Sequence, residues 1–156
     1  LESEKIVAEI RKAFLNVTLN GGLTIHQADL EGAFTDPGVK LEARKKDLES
    51  FWWEIPDWKI EKYHSAISFL DRNGFRFYMP AVMTWVLRNG KKTTSITAYC
   101  FINSLLPGYC PVINPVLILT KIQASTVYSF LKFVETYYSH SNAKNALISY
   151  WDKFCH

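Results

Sequence analysis

Four side chains between Trp58 and Arg88 could do chemistry together: His64, Asp71, Arg76 and Tyr78. His64 follows Ile60 by four residues and precedes Ile67 by three, so on a helix it shares their apolar face. Asp71 comes seven residues later on the same face, about 10 Å farther along the axis. Arg76 and Tyr78 lie in Gly74-Phe75-Arg76-Phe77-Tyr78-Met79-Pro80, where a tight turn would return the guanidinium to Asp71. Such a cluster suits a small hydrolase or nucleic-acid-processing enzyme: His64 as general base, Asp71 orienting it, and Arg76 with Tyr78 stabilising developing negative charge. The same residues also make a plain staple, because an Asp–Arg pair across a turn joins two helices and a half-buried His satisfies a carbonyl. The scaffold reading is preferred, since no Ser or Cys sits in a nucleophile elbow or beside a base at a defensible spacing.

Other chemistry is thinner. Trp52, Trp53 and Trp58 surround Pro56 and form a candidate docking surface, because aromatics anchor interfaces. Trp52 and Trp53 are adjacent and cannot both face inward on a helix, so one of them is expected at the surface. His26, Asp29 and Glu31 invite a metal reading, yet no second ligand pair accompanies them, and no metal site is expected. Gly21-Gly22 reads as a turn, not a phosphate loop; neither zinc-protease spacing nor a nucleotide motif is present, and no cofactor is implied. Cys100, Cys110 and Cys155 form neither a Cys-x-x-Cys pair nor an even framework, which predicts free thiols in a reducing cytoplasm.

Helical periodicity supplies the elements that must position these groups. Ile6, Ile10 and Phe14 mark a first helix over 2–15. Thr24 with Gln27 has capping-box spacing for a short second one, and the charge-alternating residues 40–49 read as an exposed third. Asp57 would cap a helix over 58–71 with Ile60, Tyr63, Ile67 and Leu70 as its stripe. Asn73-Gly74 would stop it, with Gly74 at positive φ, and Pro80 would start the next helix, to about Arg88. Further helices are expected over 94–105, from Thr120 to Tyr138 and over 142–154, with 75–79 and 112–119 able to extend. The class is all-α, a single compact domain of seven or eight helices in an irregular bundle covering residues 1–156.

Composition narrows the partners. The chain has 156 residues, 48% hydrophobic and 15% aromatic, enough for one core of ordinary size. Its net charge of +3 gives no strong nucleic-acid signal. Charge is uneven: residues 50–92 hold seven bases and four acids, whereas 93–156 hold four and two. Thr93–Thr120 carries no charge, but Pro107, Gly108, Pro111, Asn114 and Pro115 break it below the roughly 20 apolar residues of a membrane span. The start, Leu-Glu-Ser-Glu-Lys, lacks the basic and apolar regions of a signal peptide. Asn16-Val17-Thr18 matches a glycosylation acceptor that would matter only in a secreted protein.

The run His64-Ser65-Ala66-Ile67-Ser68-Phe69-Leu70-Asp71-Arg72-Asn73-Gly74-Phe75-Arg76-Phe77-Tyr78-Met79-Pro80-Ala81 resembles the signature of a family of small uncharacterised bacterial proteins. Weaker echoes are Gly22-Leu23-Thr24-Ile25 with Gln27-Ala28, Trp58, and Leu119-Thr120 with Gln123, Val127, Phe130 and Leu131. The resemblance implies a bacterial, soluble, single-domain protein and transfers no catalytic residue. The leading expectation is therefore a non-enzymatic interaction protein, of immunity type or an accessory binder, with a protein as partner; the alternative is the small enzyme built on His64, Asp71, Arg76 and Tyr78.

Overall fold

The computed structural model describes residues 1–30, 36–91, 96–113 and 118–156. Among them the chain forms eight α-helices and no strand: α1 (Glu2–Ala13), α2 (Ile25–Asp29), α3 (Pro37–Arg44), α4 (Asp57–Lys62), α5 (Arg72–Asn89), α6 (Ile96–Asn103), α7 (Lys121–Tyr138) and α8 (Ser141–Ser149). Single 3-10 turns sit at Trp52–Glu54, Ala66–Phe69 and Trp151–Phe154. The all-α class follows from the apolar spacing. Both capping boxes form: Thr24 accepts from the Gln27 amide and Thr120 from that of Gln123, and each Gln side chain answers the N-cap backbone.

Helix α5 is the centre. It packs against α1, α4, α6, α7 and the Trp52–Glu54 turn, and buries twelve of its eighteen residues. One apolar cluster joins it to residues from Ile6 to Trp151. Three indole N–H groups entering this core keep partners: Trp52 Nε1 donates to Phe14 O (3.0 Å), Trp151 Nε1 to Leu105 O (2.9 Å) and Trp85 Nε1 to Glu61 Oε1 (3.1 Å).

The 58–81 segment departs from the sequence reading. The expected long helix is α4 alone; the chain turns at Tyr63, and Ile67 and Leu70 reach the core from the 3-10 turn and its C-cap. Gly74 lies within the first turn of α5 and not at a positive-φ stop, and 75–79 are helical, not extended. Pro80 sits mid-helix, not at a start. The physical reason is Asp71. Its Oδ1 accepts the Gly74 N–H at 2.8 Å, so α5 begins eight residues earlier than proline grammar suggests. A proline inside a helix costs about 3 kcal/mol, which the burial of α5 from both sides outweighs. The exposed third helix also shifts. It spans Pro37–Arg44, capped by Asp36, and leaves Asp47 and Glu49 outside it. The last segment splits into α8 and a 3-10 turn at Tyr150. Thr94 and Ser95, like 114–117 of the 112–119 segment, lie outside the described residues.

The beginning of α5 touches the loop before α2. A Cβ on Gly74 would overlap the carbonyl oxygen of Leu23 and lie 2.9 Å from Asp71 Oδ1; one on Gly22 would overlap the Gly74 amide nitrogen. In an ordinary helix Gly→Ala stabilises by about 1 kcal/mol. Here Gly74→Ala is expected to destabilise by about 2 kcal/mol, because overpacking outweighs propensity. Urea unfolding gives the sign directly, and a variant as stable as the parent would contradict this close approach.

Candidate functional site

The structure does not assemble His64, Asp71, Arg76 and Tyr78 into one site. Asp71 and Tyr78 share one face of α5 at helical spacing with Gly74, and both are spent on the preceding loop. Asp71 Oδ1 accepts the Leu23 N–H at 2.9 Å, and Tyr78 Oη accepts the Ile25 N–H at 3.1 Å. Burial, reinforced by the negative charge of Asp47, pushes the Tyr78 phenol well above its usual range and keeps it neutral. Arg76 is two residues before Tyr78, on another face, and no ion pair joins it to Asp71 among the described residues. His64 lies in the turn after α4, its Nδ1 2.9 Å from Glu61 O. The expected return of the guanidinium onto Asp71 fails because the segment is a helix and not a turn.

A different His–Asp pair is present. His26 Nδ1 lies 2.7 Å from Asp47 Oδ1, and the His26 backbone N–H donates to Asp47 Oδ2 at 3.1 Å. Lys59 Nζ bonds the same Asp47 Oδ1 at 2.9 Å and Glu49 Oε1 at 2.5 Å. The Lys59 and Asp47 side chains are only 4% and 2% exposed, so this is a buried network. Burial alone would raise the Asp47 pKa, but hydrogen bonds from Lys59, Thr24 and His26 hold it below its ordinary value. Burial would likewise lower Lys59, and bonds to Glu49 and Asp47 hold it above. The Tyr63 ring covers His26 at 4.6 Å. The network ties α2 and α4 to the 45–51 segment, and Asp47's charge is already matched by Lys59. Sequence reasoning missed it because Asp47 and Glu49 stand in a run of alternating charge that looks like a solvated face. The available signal was Lys59, placed one residue before the buried Ile60. Asp29 does not join this network, Glu31 lies outside the described residues, and among the described residues no three His, Cys, Asp or Glu side chains gather as a metal site.

Two of the three tryptophans line a cleft of about 410 Å³ between α1, α4 and the C-terminal half of α5. Trp52 is buried as its floor, while Trp53 is half-buried. Phe51 stacks on Trp53 at 4.7 Å with an interplanar angle of 2°, and the Arg11 guanidinium stands 3.7 Å from the Trp53 ring. Trp85, Arg88, Asp57, Thr84 and Asn89 add to the polar and aromatic lining. Arg88 is paired with Glu4 at 3.2 Å and 3.3 Å; Arg11 has no carboxylate partner among the described residues. Trp58 is 55% exposed and lies beside Asp57, outside the lining. Cys110 offers no nucleophile, since burial pushes its thiol up to about 12. No described helix is long and apolar enough to cross a membrane.

The sequence model of a family of unknown function, DUF6714, matches residues 2–155. No curated protein and no solved structure matches the chain.

The buried network therefore has to be tested on this chain. Lys59→Met leaves two carboxylates buried without their counter-charge and is expected to cost about 3 kcal/mol in urea unfolding. Asp47 is depressed in the folded state, so its contribution is whole above the ordinary carboxyl value of 3.8 and is lost as pH falls through the lower folded value. Lys59 behaves oppositely, its contribution being whole below 10.5 and lost as pH rises through the raised folded value. Stability of the parent chain is accordingly expected to fall more steeply below pH 3.8 than that of Asp47→Asn, and equal slopes would refute the pairing.

Proposed function

The chain belongs to this family of unknown function, so no activity comes to it by kinship, and we propose that it is a non-enzymatic interaction protein whose binding surface is the tryptophan cleft. The observation that carries the reading is the Arg11–Trp53 contact at 3.7 Å: a guanidinium without a carboxylate partner among the described residues, held over a half-buried indole on the wall of a cleft. Tryptophan and arginine are the residues that concentrate binding energy at interfaces. The occupant is a segment of a partner protein presenting an aromatic or aliphatic side chain to Trp52 and Trp53 and a carboxylate to Arg11. Trp58, exposed beside the cleft, extends the same surface. An immunity protein or an accessory binder would use such a surface. One domain over residues 1–156, a bacterial source and a reducing cytoplasm belong to this reading; the continuous core supports the first and the free cysteines the last.

The enzyme alternative now has its best pair in His26 and Asp47, whose Nδ1–Oδ1 bond of 2.7 Å leaves Nε2 without a hydrogen-bond partner among the described residues. Against it stands Lys59, which shares that carboxylate oxygen and weakens its pull on the imidazole.

Selection of a displayed random-peptide library on the full chain tests the binding reading. Enriched peptides are expected to carry an acidic residue beside an aromatic or aliphatic one, and a synthetic representative is expected to bind about tenfold more weakly to Arg11→Ala and to Trp53→Ala. Arg11 is exposed, so its variant folds. Peptides without acidic residues, or equal affinity for Arg11→Ala, would remove the cleft from the function.

A further inference from the structure

A second cleft, of about 330 Å³, opens between the end of α1, the first turn of α7 and Arg76 of α5. We propose that it binds a phosphate group, free or as a small phosphomonoester, independently of the tryptophan cleft. The argument starts from Arg76. Its Nε is enclosed by protein and has no hydrogen-bond partner, and no ion pair reaches the guanidinium among the described residues. A guanidinium that lines a cleft with neither hydrogen bond nor ion pair among the described residues carries an unmatched charge there, and an anion in the cleft supplies the missing counter-charge.

The remaining lining agrees in sign. Lys12 adds a second cation, and among the described residues it has no ion-pair partner and no acid lines the cleft. Asn16 and Thr18 add neutral donors. Thr120 and Gln123, the N-cap and third residue of α7, form a wall on which the positive end of an eighteen-residue helix adds to the field of the two cations. The arrangement favours phosphate over carboxylate. A carboxylate's two oxygens are saturated by one arginine fork, whereas a phosphate offers further oxygens to Lys12, Asn16 and Thr18 at the same time. The volume admits the phosphate and a body of a few carbons.

The test is calorimetric titration and thermal unfolding of the full chain with inorganic phosphate, glycerol phosphate and acetate, at ionic strength held constant with sodium chloride. Both phosphate compounds are expected to bind saturably and to raise the melting temperature, while acetate does neither. Among the described residues Arg76 has no side-chain hydrogen bond or ion pair, so Arg76→Met should fold with unliganded stability equal to or above the parent's, and should lose about tenfold or more in phosphate affinity. Lys12→Gln, at an exposed position, should weaken binding by a smaller factor, and Lys46→Gln, exposed and outside both clefts, should leave it unchanged. Tighter binding of glycerol phosphate than of phosphate assigns the site to a phosphomonoester, and equal binding assigns it to the free ion. Absence of saturable binding, an equal response to acetate, or undiminished affinity in Arg76→Met and Lys12→Gln would overturn the proposal.

Discussion

The fold depends on one carboxylate oxygen. Asp71 Oδ1 accepts two backbone N–H groups at once, that of Gly74 at 2.8 Å and that of Leu23 at 2.9 Å. The first starts α5; the second fastens the loop before α2 to that start. Around this point the loop has little freedom left. Asn73 Nδ2 donates to Asn20 O, Arg44 Nη1 to Gly22 O at 2.7 Å, and the Ile25 N–H to Tyr78 Oη. Gly21, at φ 75°, makes the left-handed turn that brings the loop back. Backbone then meets backbone at Gly22 and Gly74, a separation that no side chain could share. A carboxylate that looks catalytic in sequence thus has one of its two oxygens committed to architecture.

That clamp sets where α2 begins, and with it where His26 meets Asp47. Taking Lys59 and Asp47 out of water is expensive, and the interior repays it only through complete hydrogen bonding. Lys59 accordingly engages two carboxylates, and Asp47 engages Lys59 and both the ring and the backbone of His26. The remaining Glu49 oxygen, Oε2, is buried without a partner. Such a network contributes little net stability compared with apolar packing. A slip of the 45–51 segment would strand a charge in the core, which costs about 3 to 5 kcal/mol.

Apolar spacing and caps carried most of the fold in the sequence. Ile6, Ile10 and Phe14 located α1, and the Thr–Gln boxes located α2 and α7, because these signals are local and repeat the helix period. Between Trp58 and Ala81 local signals pointed elsewhere. Asn73-Gly74 has the chemistry of a helix end, yet here Gly is required by the approach of Leu23, some fifty residues away. Pro80 has the chemistry of a start, yet burial of α5 on all sides tolerates it within the helix. The Ile60, Ile67 and Leu70 stripe is real, since all three are buried, but it is shared by a helix and a 3-10 turn, which removes His64 from the apolar face. Tertiary demands of this kind leave no local trace. The candidate site shows the same division: of the three tryptophans around a proline, Trp52 and Trp53 line the cleft and Trp58 does not, whereas the charge network required knowing which acids turn inward.

The two clefts meet at the end of α1. A helix leaves its last carbonyls without internal partners, and here the Phe14 carbonyl accepts from Trp52 of the aromatic cleft, while Ala13 O accepts from Gln123 of the second cleft at 3.1 Å. Arg11 and Lys12, consecutive on that last turn, diverge by about 100° and so enter different clefts. The negative end of the helix explains why two cations stand there at all, but the dipole is worth at most about 1 kcal/mol at an exposed end and places no constraint on concavity. What makes each cation available is geometry: Trp53 holds the Arg11 guanidinium over its ring, and the cleft into which Lys12 opens has no acid in its described wall. A carboxylate within reach of either would have neutralised it in an internal ion pair, as Glu4 does for Arg88.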